Sequence, residues 1–445
     1  MLISGLICLL LLALLCIDFL MHRNICTPVV FFAGIWFIVL SAGSLRLFGF
    51  SGYSDKTAIL ITVGVFFFAA GVYVIESLMD WSDKRKNISG TLSGCDIKLH
   101  RNCFRISEWP EISLNMSFLY IILALSCIGY LYFAYYSIRA MSTGLSIGEV
   151  RENLLGYTEN SVIINPIFDA FYTYFCSPAM AVLLPVAIIF LFQNKHKKFV
   201  IISALCFLLG IVSRGGRMEI FDALLISIVC FKFYQCTLSR RTKRILLIFI
   251  VCGVIGMSII TIARGNAQIF RNVYTYFTIS TPMFEQYSQA FVQADYISYG
   301  GATFYPFFYL LNIVFNIFGE HSAYLDRLVY FVGYPQNTWI SGLFPEGDLN
   351  AFCSEFYFFY MDFRVFGIIL FSFMHGAICS FFYVRSFKQH NTTMLIWYLL
   401  LVHSMFFSFV IWRLGNTKFF VSITILLVAQ FTVGSKREIY RNNFL

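Results

Sequence analysis

Ile211-Val-Ser-Arg-Gly-Gly-Arg-Met-Glu219 lies between two apolar runs, 199–212 and 218–231. The gap is too short for a loop with structure of its own. It reads as the tip of a helical hairpin at a membrane surface, with Arg214 and Arg217 held there. The two intervening glycines let the backbone turn and approach a ligand closely. A guanidinium fork matches phosphate oxygens.

The same alternation of long apolar runs and short polar breaks covers the rest of the chain. Of its 445 residues 59% are hydrophobic and only 12% charged, with a mean hydropathy of +0.76. That composition excludes a soluble enzyme with one water-excluded core and implies an all-α, polytopic integral membrane protein. Eleven transmembrane spans are expected, near 2–20, 29–45, 57–79, 116–138, 166–192, 199–213, 218–235, 245–263, 356–384, 393–412 and 419–434. The first has no basic residue before it and is followed by His22 and Arg23, so it reads as a retained span and not as a signal peptide. The thirteen cysteines are mostly scattered through apolar runs without a Cys-x-x-Cys pair, as expected of inert thiols.

Placing the N-terminus outside puts twenty of the 32 Lys and Arg residues inside, in clusters, and the C-terminus in the cytoplasm. The net charge of +9 is then loop asymmetry, and no nucleic-acid partner is expected. The inside set divides evenly between Lys and Arg. The outside set is almost all Arg: Arg46, Arg139, Arg151, Arg214, Arg217, Arg264, Arg271, Arg327, Arg364 and Arg413, against Lys56 and Lys418. Generic surface charge has no reason for that bias, whereas a site gripping phosphate or carboxylate does. The longest inside loop, 80–115, carries no phosphate-cradling glycine loop, no Asp-x-Asp and no HExxH; its basic residues suit anionic membrane lipids.

Three outside stretches stand out. Gly144-Leu-Ser-Ile-Gly-Glu-Val-Arg151 contains Ser146 followed by Glu149, a capping box opening a short helix that carries Arg151. Segment 264–355 is a large loop rich in Tyr and Phe. Within it, Thr303–Phe318 is short for a span and suits an interfacial or re-entrant helix. Its aromatics suit a membrane-interface belt and, equally, stacking on sugar rings. Glu355, Asp362 and Arg364 stand at or inside the outer face. They are functional candidates, or an Asp–Arg ion pair bracing the bundle. The expected organisation is therefore an N-terminal membrane bundle at 1–263, the large loop at 264–355 and three C-terminal spans at 356–445. There is no metal-ligand spacing, and no cofactor is expected. An arginine-lined outer pocket suits a lipid whose diphosphate sits at headgroup level and whose sugars project outward.

Gly144–Arg151, the Ser-Arg-Gly-Gly-Arg tip at 213–217 and Glu355…Tyr360-Met-Asp-Phe-Arg-Val-Phe-Gly367 resemble segments of bacterial oligosaccharide repeat-unit polymerases, the Wzy-type O-antigen polymerases. The likeness extends loosely over most of the chain in hydropathy, loop lengths and aromatic richness. Two departures are visible: Arg364 stands where the family reads glycine after Asp-Phe, and no outside arginine is followed by an Arg-x10-Gly pattern. The resemblance implies a metal-independent, GT-C-like glycosyltransferase bundle in the bacterial inner membrane with one large periplasmic loop. It implies that a glycan is passed from undecaprenyl pyrophosphate to a sugar hydroxyl of an undecaprenyl-pyrophosphate-linked repeat unit, with a chain-length regulator as a further partner. Arg214, Arg217 and Arg264 are then expected on the pyrophosphate, with His321 or Glu285 as base. Arg151, Arg271, Arg364, Glu355, Asp362 and Tyr360 are the expected substrate-binding residues. An O-antigen ligase or a lipid-linked oligosaccharide flippase are the alternatives.

Overall fold

The computed structural model describes residues 2–90, 114–146, 149–150, 165–214, 218–235, 244, 251, 269–345 and 348–442. Regular structure among the described residues is helical, and β pairing is limited to two isolated bridges. The helices are α1 (Leu2–His22), α2 (Pro28–Ser44), α3 (Asp55–Gly90), α4 (Met116–Ser142), α5 (Pro166–Phe171), α6 (Ser177–Gln193), α7 (Lys197–Arg214), α8 (Met218–Tyr234), α9 (Ile269–Thr278), α10 (Ser280–Gln293), α11 (Tyr305–Ile317), α12 (Ala323–Asn337), α13 (Ser354–Tyr383), α14 (Thr392–Phe406) and α15 (Thr417–Asn442). Five segments are long and apolar enough to cross a membrane: Ile3–His22, Asp55–Ser82, Met116–Ser142, Pro166–Gln193 and Ser354–Lys388. The protein is thus a helical membrane protein. The expected spans fall on helices, except 245–263, which lies almost wholly outside the described residues. Span 393–412 is helical only as far as Phe406.

Local chemistry sets many of the ends. Thr27 caps α2 by accepting from Val30 N, and Pro28 occupies the first turn, where its missing N–H costs nothing. Asn115 caps α4 through Phe118 N, and Asn194 ends α6 in the left-handed conformation. The capping box forms as expected: Ser146 N donates to Glu149 Oε2 at 2.7 Å and Glu149 N to Ser146 Oγ at 3.3 Å. Those bonds from Ser146, the backbone one first, hold the Glu149 carboxyl below its usual range.

The chain forms two compact units. One comprises residues 101–269, 390–400 and 417–445. Here α6 is the buried centre, packed by α4, α7, α8 and α15. Ser422 Oγ donates to the Pro178 carbonyl at 2.9 Å, and Gln193 Nε2 donates to Tyr234 OH at 3.1 Å.

The other unit comprises residues 1–100, 270–389 and 401–416. Its core is the pairing of α3 with α13. Gly71 of α3 lies against the Phe373 carbonyl, and Gly376 of α13 lies against the Phe68 carbonyl; a Cβ at either would collide with backbone. Ser380 Oγ donates to the Val72 carbonyl at 3.0 Å. Small residues letting two backbones meet is the usual way membrane helices gain packing where lipid supplies no hydrophobic drive.

In α13 the structure departs from a simple span. The helix breaks at Phe363 (φ −145°, ψ 27°) and Arg364 (φ 56°, ψ −134°). Beyond the break it folds back. Gly367 lies against the Phe359 carbonyl, and Glu355 meets His375 at 3.2 Å. Twenty residues of unbroken helix would hold those last two about 30 Å apart. Residues 354–362 are therefore a short arm of about 13 Å, and the longer arm follows Arg364. A second irregular stretch, 407–416, anchors the start of the short arm. Val410 O accepts from Cys353 N and Ser354 N, and Ser408 O accepts from Glu355 N at 2.7 Å. Such non-helical backbone within a membrane protein needs partners inside the protein, and here it has them.

Candidate functional site

The large segment between α8 and α13 is folded over its described residues. α10 packs on α3, α12 and α13, and α11 packs on α12. α11 is the expected helix within Thr303–Phe318; Phe307, Leu310, Val314 and Ile317 on it are exposed, as suits an interfacial helix.

The residues this segment brings to the break in α13 form the candidate site. Asp362 ends the short arm, fully buried. Its carboxylate accepts from Ser298 Oγ (2.5 Å), Gly300 N (3.0 Å), Ala302 N (2.9 Å) and Thr303 N (2.9 Å). Ser298-Tyr-Gly-Gly-Ala-Thr303 can aim the N–H groups of Gly300, Ala302 and Thr303 at one carboxylate, while Gly301 N turns back to the Ser298 carbonyl at 2.7 Å, because Gly300 takes a φ of 92°. Ser298 N donates to the Met361 carbonyl (3.1 Å), Trp412 Nε1 to the Thr303 carbonyl (2.9 Å) and Tyr324 OH to the Ser298 carbonyl (2.6 Å). This loop is thus riveted to the end of the short arm. Burial pushes the nearby Tyr296 and Tyr324 hydroxyls above their ordinary range, so both stay protonated at neutral pH.

Arg364 follows immediately. Its positive φ suits glycine, and a non-glycine residue there is strained. Nη2 donates to the Tyr296 carbonyl at 2.9 Å. The guanidinium carbon sits 5.0 Å from the Phe291 ring centre and 5.7 Å from that of Tyr360. Nη1 is buried with no hydrogen-bond partner among the described residues. A strained backbone thus presents a half-buried guanidinium, stacked by two rings and with donor capacity left over. No ion pair joins Arg364 to Asp362 among the described residues: Asp362 is taken up by the loop.

At the other end of the short arm, Glu355 and His375 are both fully buried. Phe32, Phe68 and Trp412 stand edge-on around the imidazole. The 3.2 Å approach brings the two groups together without hydrogen-bond alignment. Both carboxylate oxygens and both ring nitrogens lack a hydrogen-bond partner among the described residues, as do the buried hydroxyls of Ser354, Ser372 and Ser408. The chain matches no protein-family model, no curated protein and no solved structure.

The remaining expected site residues are spread more widely. Glu285, on α10, accepts from Ser54 N (3.2 Å) and Thr57 Oγ1 (3.0 Å) at the start of α3, where the helix dipole favours an anion. His321 is exposed in the connection from α11 to α12 and shares no hydrogen bond or ion pair with these groups among the described residues. Arg271 lies half-buried in the first turn of α9. Arg214 ends α7. Arg151, Arg217 and Arg264 lie outside the described residues. The structure therefore assembles Tyr360, Asp362 and Arg364 at one end of the short arm and Glu355 at the other. His375, Phe291 and the 296–303 loop join them without having been expected. Ser-x-Gly-Gly, a turn rich in free N–H groups, is the one signal that marks the loop in the sequence.

Proposed function

We propose that this chain is an oligosaccharide repeat-unit polymerase of the bacterial inner membrane, with its N-terminus periplasmic and its C-terminus cytoplasmic. The observation carrying this reading is Arg364: a guanidinium locked on Phe291 and Tyr360, with Nη1 unpartnered among the described residues and so able to grip a further oxygen. The diphosphate of an undecaprenyl-linked donor supplies that oxygen, and Tyr360 offers a ring face to the adjoining sugar. An acceptor hydroxyl attacks the anomeric carbon of the donor's reducing-end sugar. The C–O bond to the diphosphate breaks, and undecaprenyl pyrophosphate leaves with the electron pair. Positive charge held in place before reaction stabilises that leaving group. The hydroxyl proton passes to a base, for which His321 is the better candidate, since Glu285 is engaged at the start of α3. The resemblance adds Arg214, Arg217 and Arg264 to the diphosphate-binding set.

The test is the lipopolysaccharide ladder of a deletion strain. Loss of a polymerase leaves one repeat unit attached, and complementation with Arg364→Lys should not restore long chains, because charge is kept and the fork is lost. Full ladders from Arg364→Lys would remove Arg364 from the site. A second reading, a lipid-linked oligosaccharide flippase, draws on the buried Glu355–His375 pair within a broken helix. In the same strain it predicts no attached repeat units at all.

A further inference from the structure

A second polar site lies at the opposite end of the α3–α13 pair, where three membrane segments finish: Ile3–His22, Asp55–Ser82 and Ser354–Lys388. A cavity of about 540 Å³ opens there, lined by His22, Tyr73, Glu76, Asp80, Tyr383 and Lys388 among others. Its floor is a built network. Asp18, fully buried, accepts from Thr27 Oγ1 (2.5 Å) and Tyr73 OH (3.2 Å), and its Oδ1 lies 3.2 Å from His22 Nδ1. His22 Nε2 reaches Glu76 Oε2 at 2.8 Å. At the mouth Lys388 Nζ bridges both Asp80 oxygens at 3.0 and 3.2 Å.

One atom in this network is left over. Glu76 is 6% exposed, and its Oε1 is buried with no hydrogen-bond partner among the described residues. Among the described side chains of this network, even with His22 counted as imidazolium, three carboxylates (Asp18, Glu76, Asp80) face two cations (His22, Lys388). The unmatched negative charge falls at Glu76, which lines the cavity. A buried carboxylate oxygen of this kind calls for a charged donor. The space greatly exceeds a single ion and lies in the range of small-molecule sites. Tyr73 and Tyr383 form part of its wall, as suits an organic cation. A quaternary ammonium has no N–H to give Oε1; a primary ammonium has three.

We propose that this cavity binds a primary ammonium group, with Glu76 Oε1 as its acceptor, in a site distinct from the one at Arg364. At the level where three spans end, such a group comes from an aminophospholipid headgroup or from a free amine. The geometry orients the former, since Lys388 at the mouth has a third N–H for a phosphate behind the ammonium.

The experiment uses the purified full-length protein in detergent, with short-chain phosphatidylethanolamine, phosphatidylcholine of equal chain length and free ethanolamine as probes. Binding is read by native mass spectrometry and by the shift in melting temperature. Phosphatidylethanolamine is expected to bind on the order of tenfold more tightly than phosphatidylcholine, and Glu76→Gln to remove that preference. Stabilisation by ethanolamine alone assigns the site to the ammonium whatever its source; a response to the phospholipid only assigns it to a headgroup. Ser77→Trp, at an exposed rim position, fills the mouth without touching the network and should also abolish the preference, should Glu76→Gln not fold. Equal binding of the two lipids with no ethanolamine response, or an intact preference in either variant, overturns the proposal.

Discussion

The two carboxylates of the short arm of α13 have opposite surroundings. Asp362, at its end, is buried and accepts four hydrogen bonds from one loop. Glu355, at its start, is equally buried and accepts none among the described residues, where it faces an imidazole that is itself without aligned partners. A saturated buried carboxylate has no capacity for a ligand, and its work is to hold a loop in place. An unsaturated one keeps a buried charge partner and spare lone pairs, the condition found where protons or ions are handled. Burial alone does not distinguish the two; the donors around them do.

The largest expected effect is at Asp362. Asp362→Ala strands four buried donors and should cost about 3–5 kcal/mol, enough to prevent recovery of folded protein. Asp362→Asn keeps one acceptor and should lose less. A melting temperature unchanged in Asp362→Ala would show that the 298–303 loop does not depend on this carboxylate. Next is the pair at the other end. Removing one partner, as in His375→Ala, should cost about 3 kcal/mol, whereas Glu355→Leu with His375→Leu should be close to neutral. A double mutant of normal melting temperature but no ladder would show the pair to be functional; normal ladders would show it to be dispensable.

Arg364 gives a smaller effect on stability with a large one on activity. Arg364→Gly relieves about 1 kcal/mol of backbone strain while losing one hydrogen bond to Tyr296, so the melting temperature should move little. Long-chain polymer should nevertheless disappear from the ladder. Polymer retained at normal length would make Arg364 another structural residue like Asp362. The smallest effect is expected at Glu285: Glu285→Gln weakens the contacts to Ser54 and Thr57 by about 1 kcal/mol and should leave chain length unchanged if His321 is the base. Shortened chains would restore Glu285 as the base.

Much of the fold was legible because membrane helices are written in long apolar runs and their ends in local caps. The Ser146–Glu149 box and the helix beginning at Tyr305 both follow from residues within a turn of each other. The break at Phe363–Arg364 was not legible. Neither residue is a helix breaker, and the apolar run continues through both, so pattern alone implies one straight span. Once the break is missed, Glu355 and His375 read as distant points on a rod. The site was legible in part for the same reason. The residue types Arg364, Asp362 and Tyr360 stood out as polar or aromatic groups near a membrane face. That Asp362 serves the 296–303 loop and not Arg364 depends on a contact between segments sixty residues apart.

The anchoring of the short arm also bears on the order in which this protein is made. The N–H groups of Cys353, Ser354 and Glu355 find their acceptors on Ser408 and Val410, which leave the ribosome more than fifty residues later. Nine residues are too few to be inserted as a span on their own. The arm therefore takes its place only after α14 has been synthesised, and a chain truncated before Ser408 leaves those donors exposed in a half-built bundle.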